Sequence, residues 1–180
     1  EYAKNKGVHL LKACEFSCDT DVDDVHMVAY GCDFEDKKIK EVMEDIANSK
    51  IESYKDFLKR LNECGYEISL DEVLNYGGQQ RSEKELQKKL IFNLMADKGY
   101  TKTWSDAKKL SKKDERLNVR RRKPNPVDII KIVHDAGGII VLAHPYLIAD
   151  KVVLDGKEVS RSEYIENLIK NGLDGVEASY

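Results

Sequence analysis

Gly137-Gly138-Ile139-Ile140-Val141-Leu142-Ala143-His144-Pro145 decides the fold. An unbroken apolar run with three β-branched residues reads as a strand covered on both faces, as in parallel sheets. Proline has no N–H to give the ladder, so the strand is predicted to end at His144. In α/β barrels and open α/β sheets reactive groups sit at the carboxyl ends of such strands. An imidazole at that position is placed for chemistry rather than packing.

Outward from this strand the chain alternates. Upstream, Asn125-Pro126 forms an N-cap and first helical position, Ile129, Ile130 and Val133 give the apolar face, and Gly137-Gly138 ends the helix. Downstream, Ser160-Arg161-Ser162-Glu163 caps a helix carrying Ile165, Leu168 and Ile169, which Gly172 ends. Asp174 to Ala178 then reads as the next strand. Strand, helix and strand in succession imply a parallel crossover, so the fold class is α/β.

Nearer the start, Leu10 to Cys14 reads as a strand that ends at Glu15, with His9 opening it. Val25 to Tyr30 reads as another, with His26, Val28 and Tyr30 on one face. Between them, Asp19, Asp21, Asp23 and Asp24 make a polar turn that lacks the glycine and terminal glutamate of a calcium loop. From Lys37 to Asn125 the pattern is helical. Ile39, Val42, Met43 and Ile46 recur at helical spacing, as do Tyr54, Phe57, Leu58 and Leu61. Ser69 to Glu72 and Ser82 to Glu85 are capping boxes, the second opening a helix through Leu86, Leu90 and Leu94 to Gly99. Tyr76 to Arg81 is a turn presenting an arginine. Lys112 to Lys123 is charge-dense and reads as a solvated linker, with a local patch for phosphate groups as the alternative.

The totals exclude several classes. The chain has 180 residues and a net charge of −3, so it is a globular protein and not an electrostatic nucleic-acid binder. No apolar run approaches the roughly 20 residues of a membrane span, and the polar start has no signal-peptide core. Cys14, Cys18, Cys32 and Cys64 fit no zinc-finger spacing and read as reduced cysteines of a cytoplasmic protein. The absent initiator methionine suggests a fragment of something longer.

Glu15, His26 and His144 are the candidate metal ligands. Carboxylate with imidazole suits zinc, manganese or iron, and a carboxylate can bridge two ions. Their other readings are a solvated strand terminus, a satisfied core histidine and a hydrogen-bonded loop residue. His134, on a helix, reads as structural, as does His9.

Lys12 to Ser17, Asp24 to Tyr30, Gly137 to Pro145 and Gly172 to Tyr180 together resemble the strands of the polymerase-and-histidinol-phosphatase (PHP) superfamily, in order and spacing. Within it the chain resembles the stand-alone phosphoesterases acting on nucleotides and RNA ends. The resemblance implies a partial, distorted (β/α)7 barrel from residues 1–36 and 126–180, with 37–125 a helical insertion. It implies two or three divalent ions, manganese, zinc or iron, with Glu15, His26 and His144 among the ligands. It also implies phosphoester hydrolysis on a phosphorylated small molecule or an RNA 5′ end, away from any membrane. Arg81 is the candidate to face the phosphate, although Ser82-Glu83 stands where the family has Pro-His. The family's opening His-x-His strand and closing Asp-x-His motif are absent. The expectation is therefore a piece of a complete hydrolase, inactive by itself, or a domain that has lost catalysis and serves as a binding module. Histidinol phosphatase activity is the alternative within the family.

Overall fold

The computed structural model describes residues 2–178. In chain order the elements are α1 (Tyr2–Asn5), β1 (Ala13–Ser17), β2 (His26–Tyr30), α2 (Lys37–Glu63), α3 (Leu70–Leu74), α4 (Lys88–Asp97), α5 (Trp104–Lys113), α6 (Pro126–Asp135), β3 (Ile139–Ala143), β4 (Lys151–Leu154), β5 (Lys157–Ser160), α7 (Arg161–Lys170) and β6 (Gly175–Val176). The chain forms two compact units, one of residues up to Glu44 with those from Arg122 onward, the other Asp45–Arg121. Among the described residues no helix is long and apolar enough to cross a membrane.

The first unit is built on a four-stranded sheet in the order β1-β2-β3-β6. β1 and β3 both run antiparallel to β2, and β6 runs parallel to β3. The β3–β6 crossover is parallel, as the sequence predicts. The expectation of a wholly parallel setting for β3 is corrected: a run of apolar residues reports burial, not strand direction. Nor is β3 covered on both faces along its length, since Ile139 is 54% exposed.

One face of the sheet is core, with Phe16, Met27, Ala29, Ile140 and Leu142 all buried. The other face carries Glu15, Ser17, His26, Val28 and Val141, because directly paired residues point the same way. The first strand lies three residues later than its apolar content suggests. Leu10 and Leu11 are 75% and 66% exposed, and His9 lies in no strand. The register is set instead by the β1–β2 turn. There the Cys18 N–H donates to the Val25 carbonyl at 2.8 Å, while Asp19 and Asp24 take left-handed φ values of 59° and 60°. Aspartate tolerates that region through its own backbone hydrogen bonds. Asp19 Oδ1 accepts from the Asp21 and Val22 amides, and Asp19 Oδ2 from the buried Tyr164 hydroxyl.

Helix α6 ends where Gly137 takes φ 78°. Gly138 then passes so close to Cys32 that an added Cβ would lie 2.5 Å from the Cys32 Cβ. The caps of α6 and α7 form as read, with Asn125 accepting from Val127 N–H and Ser160 forming a full capping box with Glu163. A two-stranded sheet, β4 with β5, precedes α7.

The second unit packs Phe57, Leu61, Ile68, Val73, Leu86, Ile91, Met95 and Leu117 into one core. Ser69 forms its capping box at the start of α3. The Ser82 box also forms, but it closes only a 3-10 turn, Glu83–Glu85. Leu86 is then extended and buried, so packing ends the turn before α4 begins at Lys88. The charge-dense stretch is not all linker. Its first part completes α5, and the buried Leu117 anchors a 3-10 turn, Glu115–Leu117.

Candidate metal centre

β1 holds Glu15 at its middle, β2 opens with His26, and β3 hands off to His144. The pairing Ser17↔His26↔Ala143 sets these positions at one end of the polar face. Three ligand-type atoms converge there. His26 Nδ1 lies 3.1 Å from His144 Nε2 and 3.2 Å from Glu15 Oε1, and His144 Nε2 lies 3.4 Å from Glu15 Oε1. The two rings meet edge to face, their centroids 4.7 Å apart. The side chains of His26 and His144 are 28% and 22% exposed and that of Glu15 is 51% exposed, so the cluster opens to solvent on the carboxylate side.

The electrostatics favour a cation. Burial holds the His26 imidazole below its ordinary pKa; Glu15 and Asp24 oppose that shift, and His144 and Lys123 add to it. The ring is therefore neutral at neutral pH and offers a lone pair. Carboxylate and imidazole nitrogens this close repel unless a proton or metal ion lies among them. The edges of 3.1, 3.2 and 3.4 Å fall within the roughly 2.8–3.6 Å that separates neighbouring ligands of an ion with 2.0–2.2 Å bonds, from octahedral to tetrahedral geometry. The donor set, two nitrogens and one oxygen, suits zinc, manganese or iron.

His144 is held by its backbone. It takes φ 31° and ψ 56°, a left-handed conformation that few non-glycine residues adopt. Its N–H donates to Glu177 Oε2 at 2.7 Å. The parallel register places Glu177 there: Leu142 pairs with Val176, and the Glu177 N–H donates to the Leu142 carbonyl at 2.9 Å. Nδ1 of His144 is buried with no hydrogen-bond partner among the described residues. The ring is thus oriented from its backbone and from its Nε2 side.

Among the described residues, Glu15, His26 and His144 form the one group able to hold a metal ion. Arg81 donates to the Tyr76 and Gln79 carbonyls at 2.6 and 3.2 Å and to Gln79 Oε1, which ties its guanidinium to its own turn. His134 Nε2 meets Asp174 Oδ2 at 2.8 Å, and that oxygen also accepts from the Ile140 N–H. His134 thus links α6 to the approach of β6. All four cysteines are free. Glu177 is absent from the sequence-derived ligand set. The signal for it was the parallel pairing itself, which brings the residue after Val176 alongside His144. Ser179 and Tyr180, the end of the motif quoted above, lie outside the described residues.

No protein-family model matches the chain, and no curated protein matches it. Solved structures do. One is described as a metal-dependent phosphoesterase from Bifidobacterium adolescentis, with TM-score 0.70 and 24% identity over 97% of this chain. Another is an amidohydrolase from Chromobacterium violaceum with bound sulfate and no metal, with TM-score 0.72 and 17% identity over 97% of this chain. The chain spans 59% and 58% of the lengths of those two proteins. It shares their mixed α/β fold.

Proposed function

We propose that this chain carries part of the metal centre of a metal-dependent phosphoesterase, acting on phosphate esters of nucleotides or RNA ends. The observation that carries the reading is the convergence of Glu15, His26 and His144 within 3.4 Å of one another. Two features of the neighbours support it: a protein described as a metal-dependent phosphoesterase has this fold, and the amidohydrolase of the same fold holds sulfate, a tetrahedral anion of phosphate's shape. Free cysteines accord with a cytoplasmic setting.

In this reading Glu15, His26 and His144 are ligands to one divalent ion. A bound ion supplies Lewis acidity toward the phosphoryl oxygens and lowers the pKa of a bound water. The chain's own contribution is positional. The sheet register fixes His26 and Glu15 relative to each other, Glu177 fixes the backbone of His144, and the half-exposed Glu15 leaves one side of the cluster open to a ligand.

The test uses the full-length protein with manganese or zinc. Metal content is measured by mass spectrometry, and phosphate release from nucleoside monophosphates and 5′-phosphorylated oligoribonucleotides is followed. His144→Ala should lose metal and lower kcat/KM by about a hundredfold or more. Full activity in His144→Ala, or in metal-stripped wild type, defeats the proposal.

A further inference from the structure

The chain's total charge of −3 averages two opposed parts. Residues 84–121, all within the second unit, hold 12 lysines and arginines against 5 aspartates and glutamates, a net of +7, so the other 142 residues carry −10. We propose that one face of α5, made of Trp104, Lys108 and Lys112 with Lys89 from α4, binds single-stranded RNA. The choice of RNA over DNA rests on the phosphoesterase reading above, whereas the binding face itself does not depend on the metal centre.

Helical spacing builds the face. Residues 104, 108 and 112 follow one another turn by turn and form a single stripe about 12 Å long. Ala107 and Ser111, each one position earlier than a lysine, turn inward and are buried, while Trp104, Lys108 and Lys112 stay exposed. Lys89 closes one end of the stripe. Its ammonium lies 5.1 Å from the Trp104 ring centre, which brings the start of α4 to the start of α5. Lys108 and Lys112 meet no carboxylate among the described residues. The nearby acids are engaged elsewhere: Glu85 with Ser82, Asp97 with Tyr76, Asp106 with Thr103 and Lys109, and Asp114 with Arg116.

Trp104 selects the partner. Among the described residues it is the one large hydrophobic side chain exposed in this unit, at 42%. A lipid surface needs a broad apolar face, which a lone ring among lysines does not offer. A duplex hides the faces of its bases, whereas a single strand presents them for stacking. Lysines spaced along a helix meet phosphates and an aromatic ring stacks a base, and this combination binds single strands with little regard to sequence. An exposed lysine-on-ring contact is weaker than a stacked base. Lys89 therefore yields the ring to a base and keeps its charge for a phosphate.

The experiment follows binding of a fluorescent oligoribonucleotide of about 12 nucleotides to the full-length protein by anisotropy, at about 50 mM salt. The protein carries His144→Ala and the buffer a chelator, so no phosphate is held through a metal and none is released. Failure here therefore leaves the metal reading standing, and failure of that reading leaves this face untouched. The dissociation constant should be about 100 μM or tighter. Trp104→Ala should weaken binding about tenfold, and Trp104→Phe should restore most of it. Lys108→Ala and Lys112→Ala should each reduce the slope of log affinity against log salt by about 0.7, a readout that a merely structural lysine does not move. Lys170→Ala, an exposed control in the first unit, should change neither. If Trp104→Ala fails to fold by circular dichroism, the lysine variants decide. The proposal is overturned if the RNA does not bind below about 1 mM, if folded Trp104→Ala binds as the parent does, or if the lysine variants keep the parent's salt slope. It is also overturned if Lys170→Ala weakens binding equally, or if duplex RNA or vesicles of anionic phospholipid bind more tightly than the single strand.

Discussion

Removing the Glu177 carboxylate should loosen the metal centre without touching a ligand. His144 sits at φ 31°, a conformation that costs roughly 1–3 kcal/mol and persists only where the surroundings hold it. The 2.7 Å bond from its N–H to Glu177 Oε2 is the hold that the structure shows. A hydrogen bond to a charged group contributes about 1.5–3 kcal/mol, and the exposure of Glu177 places this one near the lower end. About 1.4 kcal/mol is tenfold in affinity, so Glu177→Ala should weaken zinc or manganese binding about tenfold. Glu177→Gln keeps a neutral acceptor and should recover about half of the lost free energy. Isothermal titration with each metal gives the affinity, and thermal melts of the metal-free proteins separate local from global effects. If Glu177→Ala binds metal within a factor of two of wild type and melts with it, the carboxylate does not position His144.

Gly138→Ala should destabilise the first unit by about 2 kcal/mol or more, because the new Cβ meets the Cys32 Cβ at 2.5 Å and its Cα and N at 3.0 Å; a urea midpoint unchanged from wild type would contradict that packing. Ser69→Ala removes half of a capping box and should cost about 1 kcal/mol at neutral pH, read from chemical denaturation. Glu72 is held down to about 2, first by Lys98 and then by the Ser69 amide. Because its folded pKa lies below its unfolded one, its contribution is present above about pH 4.5 and is lost as pH falls toward 2. The stability gap between wild type and Glu72→Gln, about 1 kcal/mol after allowance for an exposed side chain, should therefore close across that range; a gap that is flat with pH would refute it.

What was legible in the sequence was local. Caps at Ser69, Asn125 and Ser160 form because a side chain answers a backbone donor two or three residues away, and no distant contact is needed. β2 and β3 were legible from alternation and from an apolar run. β1 was misplaced because Leu10 and Leu11 look like strand core, whereas a register depends on what a strand pairs with. Ser82 shows the converse: its box formed, but burial of Leu86 overrode the helix the box announces. The β4–β5 hairpin carries a local sign of its own. Asp155-Gly156 joins Val152-Val153 to Val159, and both turn residues have positive φ. The three ligand-type residues were named from type and strand position. Their closeness is not local, since it arises from two antiparallel pairings across 129 positions of sequence.

That closeness sets a choice between two cations. A proton shared by His26 and His144 would also relieve three converging lone-pair carriers, and acid would strengthen such a cluster. A metal ion competes with protons for the same atoms, so acid would weaken it. Burial pulls the His26 pKa down, which leaves the proton a poor occupant near neutrality and the lone pair free for an ion. The first unit should therefore gain stability from zinc or manganese at pH 7 and lose that gain as the pH drops below the range of an ordinary histidine. Metal-induced stabilisation that grows on acidification would assign the cluster to a shared proton and remove the metal from this site.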